Sequence, residues 1–570
     1  MLTTRTNKGS LSGKRAAERA LAVRLAAVLF AGLVAIGSAE AAEYTVKADG
    51  SGSFSSIQAC ANAAGAGDTC LVYGGVYDEH VITASGGTGE DNRLVFRAAG
   101  VVTMKGFDIR HPYVTVNGFD ITGQTVLGMV VVYPPGNYFQ LLNCTIRDGG
   151  AKVYGLMLYT SKGLSPSKAV IKGNTFKNHS YMFTNIEGDG HLFENNSFEQ
   201  LRGADYLRVF GTNHVFRRNR FWKGTSGLGG NHPDFVQTFG QTATTVTQNL
   251  LFEENWIADL PAQFSLLKNG YASIATMGGM SPDIKNIIFR RNVIVSLESN
   301  ANISMPGVQF INNTFFRLAY LQNGMGFGSS LVRGVADQNT LKNNVFLAAG
   351  TQADVASDSN TGWYLMTGIA LSKETIASPI VTNELATLAG GEPPIATGIF
   401  NDLIARGYID GNGYLKTPAK NLRDISQFVL DPAYATYKQA TYDAVIKTVF
   451  WDNSVRSSFA ADYNYVGGSA ASGFAAKRTW ECDARGPAYS LFNFCEPHGI
   501  NGGDPKLANL ANPLGPDGVP FTLDDGLKPL PGSPLCGKGE QGADIGAYSC
   551  DPSKVLPNQP KPPSNLSIRR

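Results

Sequence analysis

Two aspartates open stretches that align residue for residue: Asp205 in GADYLRVFG (203–211) and Asp234 in NHPDFVQTFG (231–240). Tyr206 then matches Phe235, Arg208 matches Gln237, and Phe210 matches Phe239. If the stretches are neighbouring parallel strands, the two carboxylates lie about 5 Å apart. Such a pair has three uses. It can share a calcium ion. It can act as acid and nucleophile, since that spacing suits a retaining glycosidase and repulsion keeps one group protonated. Or the residues simply form turns where strands begin. Parity opposes the first two uses, because both aspartates share the inward parity of Val236 and reach solvent only if the strands start after them.

Further groups extend the constellation. His232 lies two residues before Asp234, and Lys268 closes the next stretch, AQFSLLKNG (262–270). Removing the proton beside a uronate carboxyl needs a base and a cation to hold the enolate-like charge. Lys268 or His232 is the candidate base, Arg208 the candidate cation, and Asp234 a candidate acid. The same two stretches, with Met182, Phe183, Asn185 and Glu187 one repeat earlier, predict an outward row of Tyr206, Phe235, Phe239, Asn185, Glu187 and Gln237. One repeat later the matching positions are Gln263, Phe264, Leu266 and Lys268. Aromatic rings stack on pyranose faces while planar polar groups hold hydroxyls and carboxylates. The competing reading is an aromatic ladder packed under loops.

Those residues need a scaffold that repeats, and the chain supplies one. The phrase apolar, x, apolar, two polar, Asn, x, apolar recurs as VIKGNTF (170–176), LFENNSF (192–198), VFRRNRF (215–221) and LFEENWI (251–257). It continues as IFRRNVI (288–294), QFINNTF (309–315) and TLKNNVF (340–346). The shared Asn stands at 174, 196, 219, 255, 292, 313 and 344, at intervals of 22, 23, 36, 37, 21 and 31 residues. A base period near 22 residues with insertions is a solenoid signature, and the alternation within each phrase is that of strands. Stacked Asn side chains can bond one another in a buried ladder. QLLNCTI (140–146) fits the template with Cys144 in the Asn slot, which predicts a small buried cap to the ladder, not a reactive thiol. The fold class expected is all-β: a right-handed parallel β-helix.

The ends carry a resemblance. ADGSGSFSSIQACANAAGAGDTCLVYGGVYDE (48–79) resembles the opening of pectate-lyase-like β-helix proteins, which implies an amphipathic helix capping the first coil. LKPLPGSPLCGKGEQGADIGAYSC (527–550) resembles the closing coil of bacterial right-handed β-helix repeat proteins. The His-x-Asp-x-x-Gln spacing at 232–237 is similar to a motif of uncharacterised β-helix proteins. It departs from the paired-Asp and Gly-His-Gly elements of polygalacturonases and from the patterns of pectin methylesterases and alginate epimerases. The resemblance implies a polysaccharide substrate and a calcium cofactor, without selecting one enzyme family.

Residues 351–457 break the repeat with helical spacing and Pro/Gly punctuation, which predicts a partly helical insertion within 43–350 and 458–550 of coil and cap. Residues 551–570 form a Pro-rich tail. Basic residues up to Arg24, the apolar run Leu25 to Gly37, and Ala39-Glu40-Ala41 predict a cleaved leader at 1–42. Export then makes Cys60–Cys70, Cys482–Cys495 and Cys536–Cys550 the expected disulfides. No later stretch is apolar enough to cross a bilayer. A formal net charge of +2, with no basic stripe, excludes a nucleic-acid partner. The expected protein is an exported monomer that cleaves a uronate-containing glycan by β-elimination. A hydrolase using Asp205 and Asp234 and a noncatalytic glycan-binding β-helix are the alternatives.

Overall fold

The computed structural model describes residues 41–125, 127–224, 234–239, 246–260, 263–267, 284–297, 301–304, 307–316, 325–327, 340–348, 405, 460–468, 497–551 and 553. The leader through Glu40, His232, Lys268, Cys482 and Cys495 lie outside these residues, as does nearly all of the 351–457 insertion and of the tail. Strands pair in parallel with strands one coil away on both sides. Val170–Lys172, for example, pairs with Gln140–Leu142 before it and Leu192–Glu194 after it. The architecture is the right-handed parallel β-helix that the repeat predicts.

Each phrase folds as two short strands around a corner. The middle residue of the first strand points inward, as Ile171, Phe193, Phe216, Phe252, Phe289 and Phe310 do. The second strand buries Phe176, Phe198, Phe221, Ile257 and Phe315 likewise. Parallel registry places like on like, so rings stack from coil to coil: Phe198 on Phe221 at 4.7 Å and Phe216 on Phe252 at 4.6 Å between centroids. Each such ring contributes about 1.5–3 kcal/mol by burial.

The corner explains the polar half of the phrase. The residue before each ladder Asn takes a left-handed conformation: Asn195 at φ 57°, Arg218 at 56°, Glu254 at 56° and Arg291 at 54°. The Asn that follows points inward. Asn219 Nδ2 donates to Phe193 O at 2.9 Å and to Asn255 Oδ1 at 3.1 Å. Its own Oδ1 accepts from Asn196 N at 3.0 Å and Asn196 Nδ2 at 2.9 Å. The pattern repeats to Asn344, whose Nδ2 donates to Asn464 Oδ1 at 3.0 Å. Asn464 continues the ladder across the whole insertion, because Thr340–Lys342 pairs directly with Ala460–Asp462. Cys144 ends the ladder as expected: its N–H donates to Asn174 Oδ1 at 2.9 Å, and burial pushes the thiol up to about 12.

At the N-terminal end, helix Ile57–Ala63 is capped by the Ser56 side chain accepting from Ala59 N. Glu79 accepts from Ile57 N at 3.0 Å and Gln58 N at 2.8 Å, satisfying further orphan donors of the first turn. Ile57, Cys60 and Ala61 join the core, and Cys60 is bonded to Cys70. At the other end, residues 502–551 hold no strand. They pack along the side of the coils, with Cys536–Cys550 closing a loop. Gly546 allows the closest approach: a Cβ there would stand 2.7 Å from Val345 Cγ2.

A second buried column is histidine. His191 and His214 stack at 4.8 Å. Their Nδ1 atoms accept from Ala169 N at 3.1 Å and His191 N at 3.2 Å, which puts the protons on Nε2, facing Glu187 O and Phe210 O. Burial holds His191 down to about 3 and His214 to about 4.

Two outcomes are expected. Asn219→Ala strands several buried donors and acceptors and should cost roughly 3 kcal/mol or more in chemical denaturation, against about 1 kcal/mol for Cys144→Ala at the ladder end. Both histidines stay neutral when folded but protonate below about 6.5 when unfolded, so stability should fall as pH drops from about 6.5 toward 4. Leu250 fills the next coil's histidine position, so His214→Leu should flatten that slope by about 1.4 kcal/mol per pH unit.

Candidate functional site

Registry sets the site as two columns on one outer face. Met157, Asn185, Arg208 and Gln237 stand one above another. Two residues further on, the same registry stacks Tyr159, Glu187, Phe210 and Phe239. The inward residues between them, Leu207, Val209, Val236 and Thr238, are buried.

Arg208 is the central group. Its Nε and Nη2 donate to Asp205 Oδ2 at 2.9 and 2.6 Å, and its Cζ lies 5.7 Å from the Phe239 ring centroid. Phe239 in turn packs edge-on against Phe210 at 5.2 Å. The Arg208 side chain is 23% exposed while that of Asp205 is 2% exposed. The buried carboxylate therefore aims a cation at solvent, and Nη1 makes no hydrogen bond to any described residue. Asp234 holds Gln237 in the same way, accepting from Nε2 at 2.7 Å. Asp-x-x-Arg and Asp-x-x-Gln are thus one local device used in successive coils. Asp205 Oδ1 also faces Asp234 N at 3.4 Å, tying the coils together.

Glu187 is oriented by Asn185 Nδ2, which donates to Oε1 at 3.0 Å, and by Thr160 N, which donates to Oε2 at 2.9 Å. Tyr154 packs edge-on to Tyr181 at 5.1 Å. Burial, and then its bond to Tyr181, raise the Tyr154 phenol above its ordinary value, with smaller opposing effects from Arg208 and Asp205. It therefore stays protonated near neutrality and can give a proton more readily than take one.

Several expectations need correction. Asn185 and Gln237 stand in the outward column but are buried, at 7% and 5% exposure. Tyr206 and Phe235 do not face outward: both are fully buried in the core. Each precedes the regular part of its strand, where the corner turns its ring inward against Phe221, at 6.3 Å for Tyr206 and 4.9 Å for Phe235. The alignment with the following coil also slips. A bulge at Phe235 makes Val236 pair with Phe264 and Gln237 with Ser265, so Leu266 is not in the Arg208 column. Asp205 and Asp234 are both buried and bonded by side chains of their own coils. Arg208 occupies Asp205 where a metal would sit, and calcium needs six or more oxygens. The described residues of this pair do not fit a calcium site. His232 and Lys268 lie outside the described residues.

The same face continues toward the N-terminus with groups that the aligned stretches did not reveal. Asp108, Val131 and Met157 are successive members of the Arg208 column. Asp108 accepts from Arg110 Nη2 at 2.9 Å and bonds His80 Nε2 at 3.0 Å. The His80 Nδ1 meets Gln124 Nε2 at 2.7 Å, so both ring nitrogens are engaged. Arg110 lies 5.3 Å over the Tyr133 ring, and Tyr133 packs edge-on to Tyr159 at 5.8 Å. These residues precede the first Asn phrase, and no repeated phrase in the sequence points to them.

No protein-family model matches the chain, and no curated protein matches it. Solved structures that it resembles include pectate lyase Pel9A, at 17% identity and a TM-score of 0.35 over 55% of this chain and 78% of that one. A rhamnogalacturonan lyase follows at 12% identity and 0.35, covering 54% and 82%. A PL6 family polysaccharide lyase from Pseudopedobacter saltans matches at 13% and 0.35, covering 51% and 82%.

The Arg208–Asp205 pair gives a direct stability test. Arg208→Ala leaves a buried carboxylate without its charged donor and should cost roughly 1.5–3 kcal/mol in denaturant titrations. Adding Asp205→Asn should recover most of that loss, and an additive double variant would refute the coupling.

Proposed function

We propose that the chain is an exported enzyme that cleaves a uronate-containing polysaccharide by β-elimination on the Arg208 face. The observation that carries this reading is the Arg208 guanidinium: braced by a buried carboxylate, backed by Phe239, and with Nη1 left for a ligand. A fixed cation of this kind meets the charge that develops on a uronate carboxyl when its neighbouring carbon loses a proton, and it needs little reorganisation to do so. Asn185, below it, is buried and serves by orienting the Glu187 carboxylate. Phe239 and Tyr159 border the same face and suit pyranose rings.

The proton acceptor is assigned to Lys268 or His232. Among the described residues of this face, Glu187, Asp205 and Asp234 each already accept from donors, and Tyr154 is held protonated. Leu267 pairs with Phe239, and Lys268 is the residue that follows it. Tyr154, whose phenol stays protonated, is assigned to protonate the leaving oxygen. The hydrolase alternative draws no support from the geometry, since its two carboxylates are buried and engaged. Export accords with two disulfides, which persist in oxidising compartments.

The test is a screen over polygalacturonate, alginate and chondroitin sulfate that reads ultraviolet absorbance of unsaturated ends and reducing ends in parallel. Both signals should rise together on one acidic polymer. Arg208→Gln combined with Asp205→Asn, which removes the cation and the buried charge that braces it together, should lower kcat by about a hundredfold or more. Reducing ends without absorbance would mean hydrolysis, and full activity in the double variant would remove Arg208 from the chemistry.

A further inference from the structure

A recess lies where residues 502–551 meet the coils, lined by none of the residues of the Arg208 columns. It encloses about 400 Å³, within the range of small-ligand pockets. One side comes from the corners of the coils, Arg291 and Asn312. The other comes from Phe521, Leu523, Lys528 and Tyr548 of the closing segment. The two sides are fixed against each other: Asn312 Nδ2 donates to Asp544 O at 2.6 Å, and Ala547 N donates to Thr314 Oγ1 at 3.0 Å.

The chemistry of the lining is uneven. Phe521 and Tyr548 stack at 5.5 Å, and the Tyr548 hydroxyl is taken up by Asp525 Oδ2 at 2.7 Å. The tyrosine therefore offers its ring and not its hydroxyl. Asp544 also lines the recess, but its Oδ1 accepts from Gly537 N and its Oδ2 from Ser549 Oγ and Cys550 N. Asp551 accepts from Ser553 N and Oγ. Arg291 is committed to Glu253 and Glu254 at 2.8 and 2.6 Å. Lys528 differs: it is partly exposed and forms no ion pair or side-chain hydrogen bond with any described residue. An aromatic wall beside one uncommitted cation suits a ring-shaped monoanion.

We propose that this recess binds the carboxylate of a single uronic acid unit, with Lys528 on the carboxylate and the Phe521–Tyr548 wall against the pyranose ring. Such a site would hold either a released sugar acid or one unit of a polymer, apart from the residues assigned to cleavage. It rests on the recess alone and not on the β-elimination reading.

The test is calorimetric titration of the full chain with D-galacturonate, D-glucuronate and, as the neutral control, D-galactose. Saturable binding of a uronate, weakened tenfold or more in Lys528→Gln and kept in Lys528→Arg, is expected. The Arg208→Gln/Asp205→Asn variant should bind as the wild type does. Polygalacturonate titrated into the same variants separates the sources: Lys528-dependent polymer binding identifies a chain unit, and its absence identifies the free acid. The proposal is overturned if no uronate binds, if galactose binds equally well, or if Lys528→Gln leaves affinity unchanged. Loss of binding only in the Arg208 variant also overturns it, and places the sugar on the other face.

Discussion

Coil-to-coil registry is the constraint from which the rest of the molecule follows, and the buried Asn amides enforce it. A carboxamide inside a core is tolerated only when its donors and acceptors are met. Here each amide nitrogen donates to the next coil's Asn oxygen and to a carbonyl of the coil before, and each amide oxygen accepts from the backbone N–H and side-chain amide of the preceding coil's Asn. A slip of one residue would leave all of these groups unpaired together. The ladder therefore does for the solenoid what an alternating hydrophobic face does for an ordinary sheet, and at a site where hydrophobic residues alone would tolerate sliding.

Registry then decides what the outer face can be. Identical corners stack into the Asn and His columns, whereas the outward columns are free to vary from coil to coil. That freedom places Asn185, Arg208 and Gln237 in one line. The aspartates behind Arg208 and Gln237 are bracing groups, spaced three residues away so that they sit at the corner while the side chain they hold sits on the strand. The corner is also why Tyr206 and Phe235 turn inward. Strict alternation applies within a strand, and each ring comes from the bend or bulge that starts one.

The fold is legible because its determinants recur: Asn in one slot, with an inward apolar residue three places before it and another two places after it. Even Cys144, an exception by composition, was readable from its slot. Nothing in the sequence marks Asn464 as a ladder residue, because 120 residues separate it from Asn344 although the coils remain adjacent. The site was only partly legible. Alignment of 203–211 with 231–240 gave the true pairing of Arg208 with Gln237, but side-chain direction depends on where the strand starts, which the residue types do not mark. Arg110, Tyr133 and Tyr159 went unseen because position, and not a repeated phrase, assembles them.

The burial of the two aspartates also separates the chemical readings. Glycoside hydrolysis by a carboxylate pair asks both groups to reach the sugar, one as acid and one as nucleophile. β-Elimination asks instead for a cation placed beforehand where negative charge will appear. A buried aspartate serves that second purpose, since it fixes the guanidinium in one orientation and lowers the entropy lost when a ligand arrives. The same burial that keeps Asp205 from solvent fixes the Arg208 guanidinium above it. In this fold a carboxylate one layer below the surface contributes by holding the residue above it.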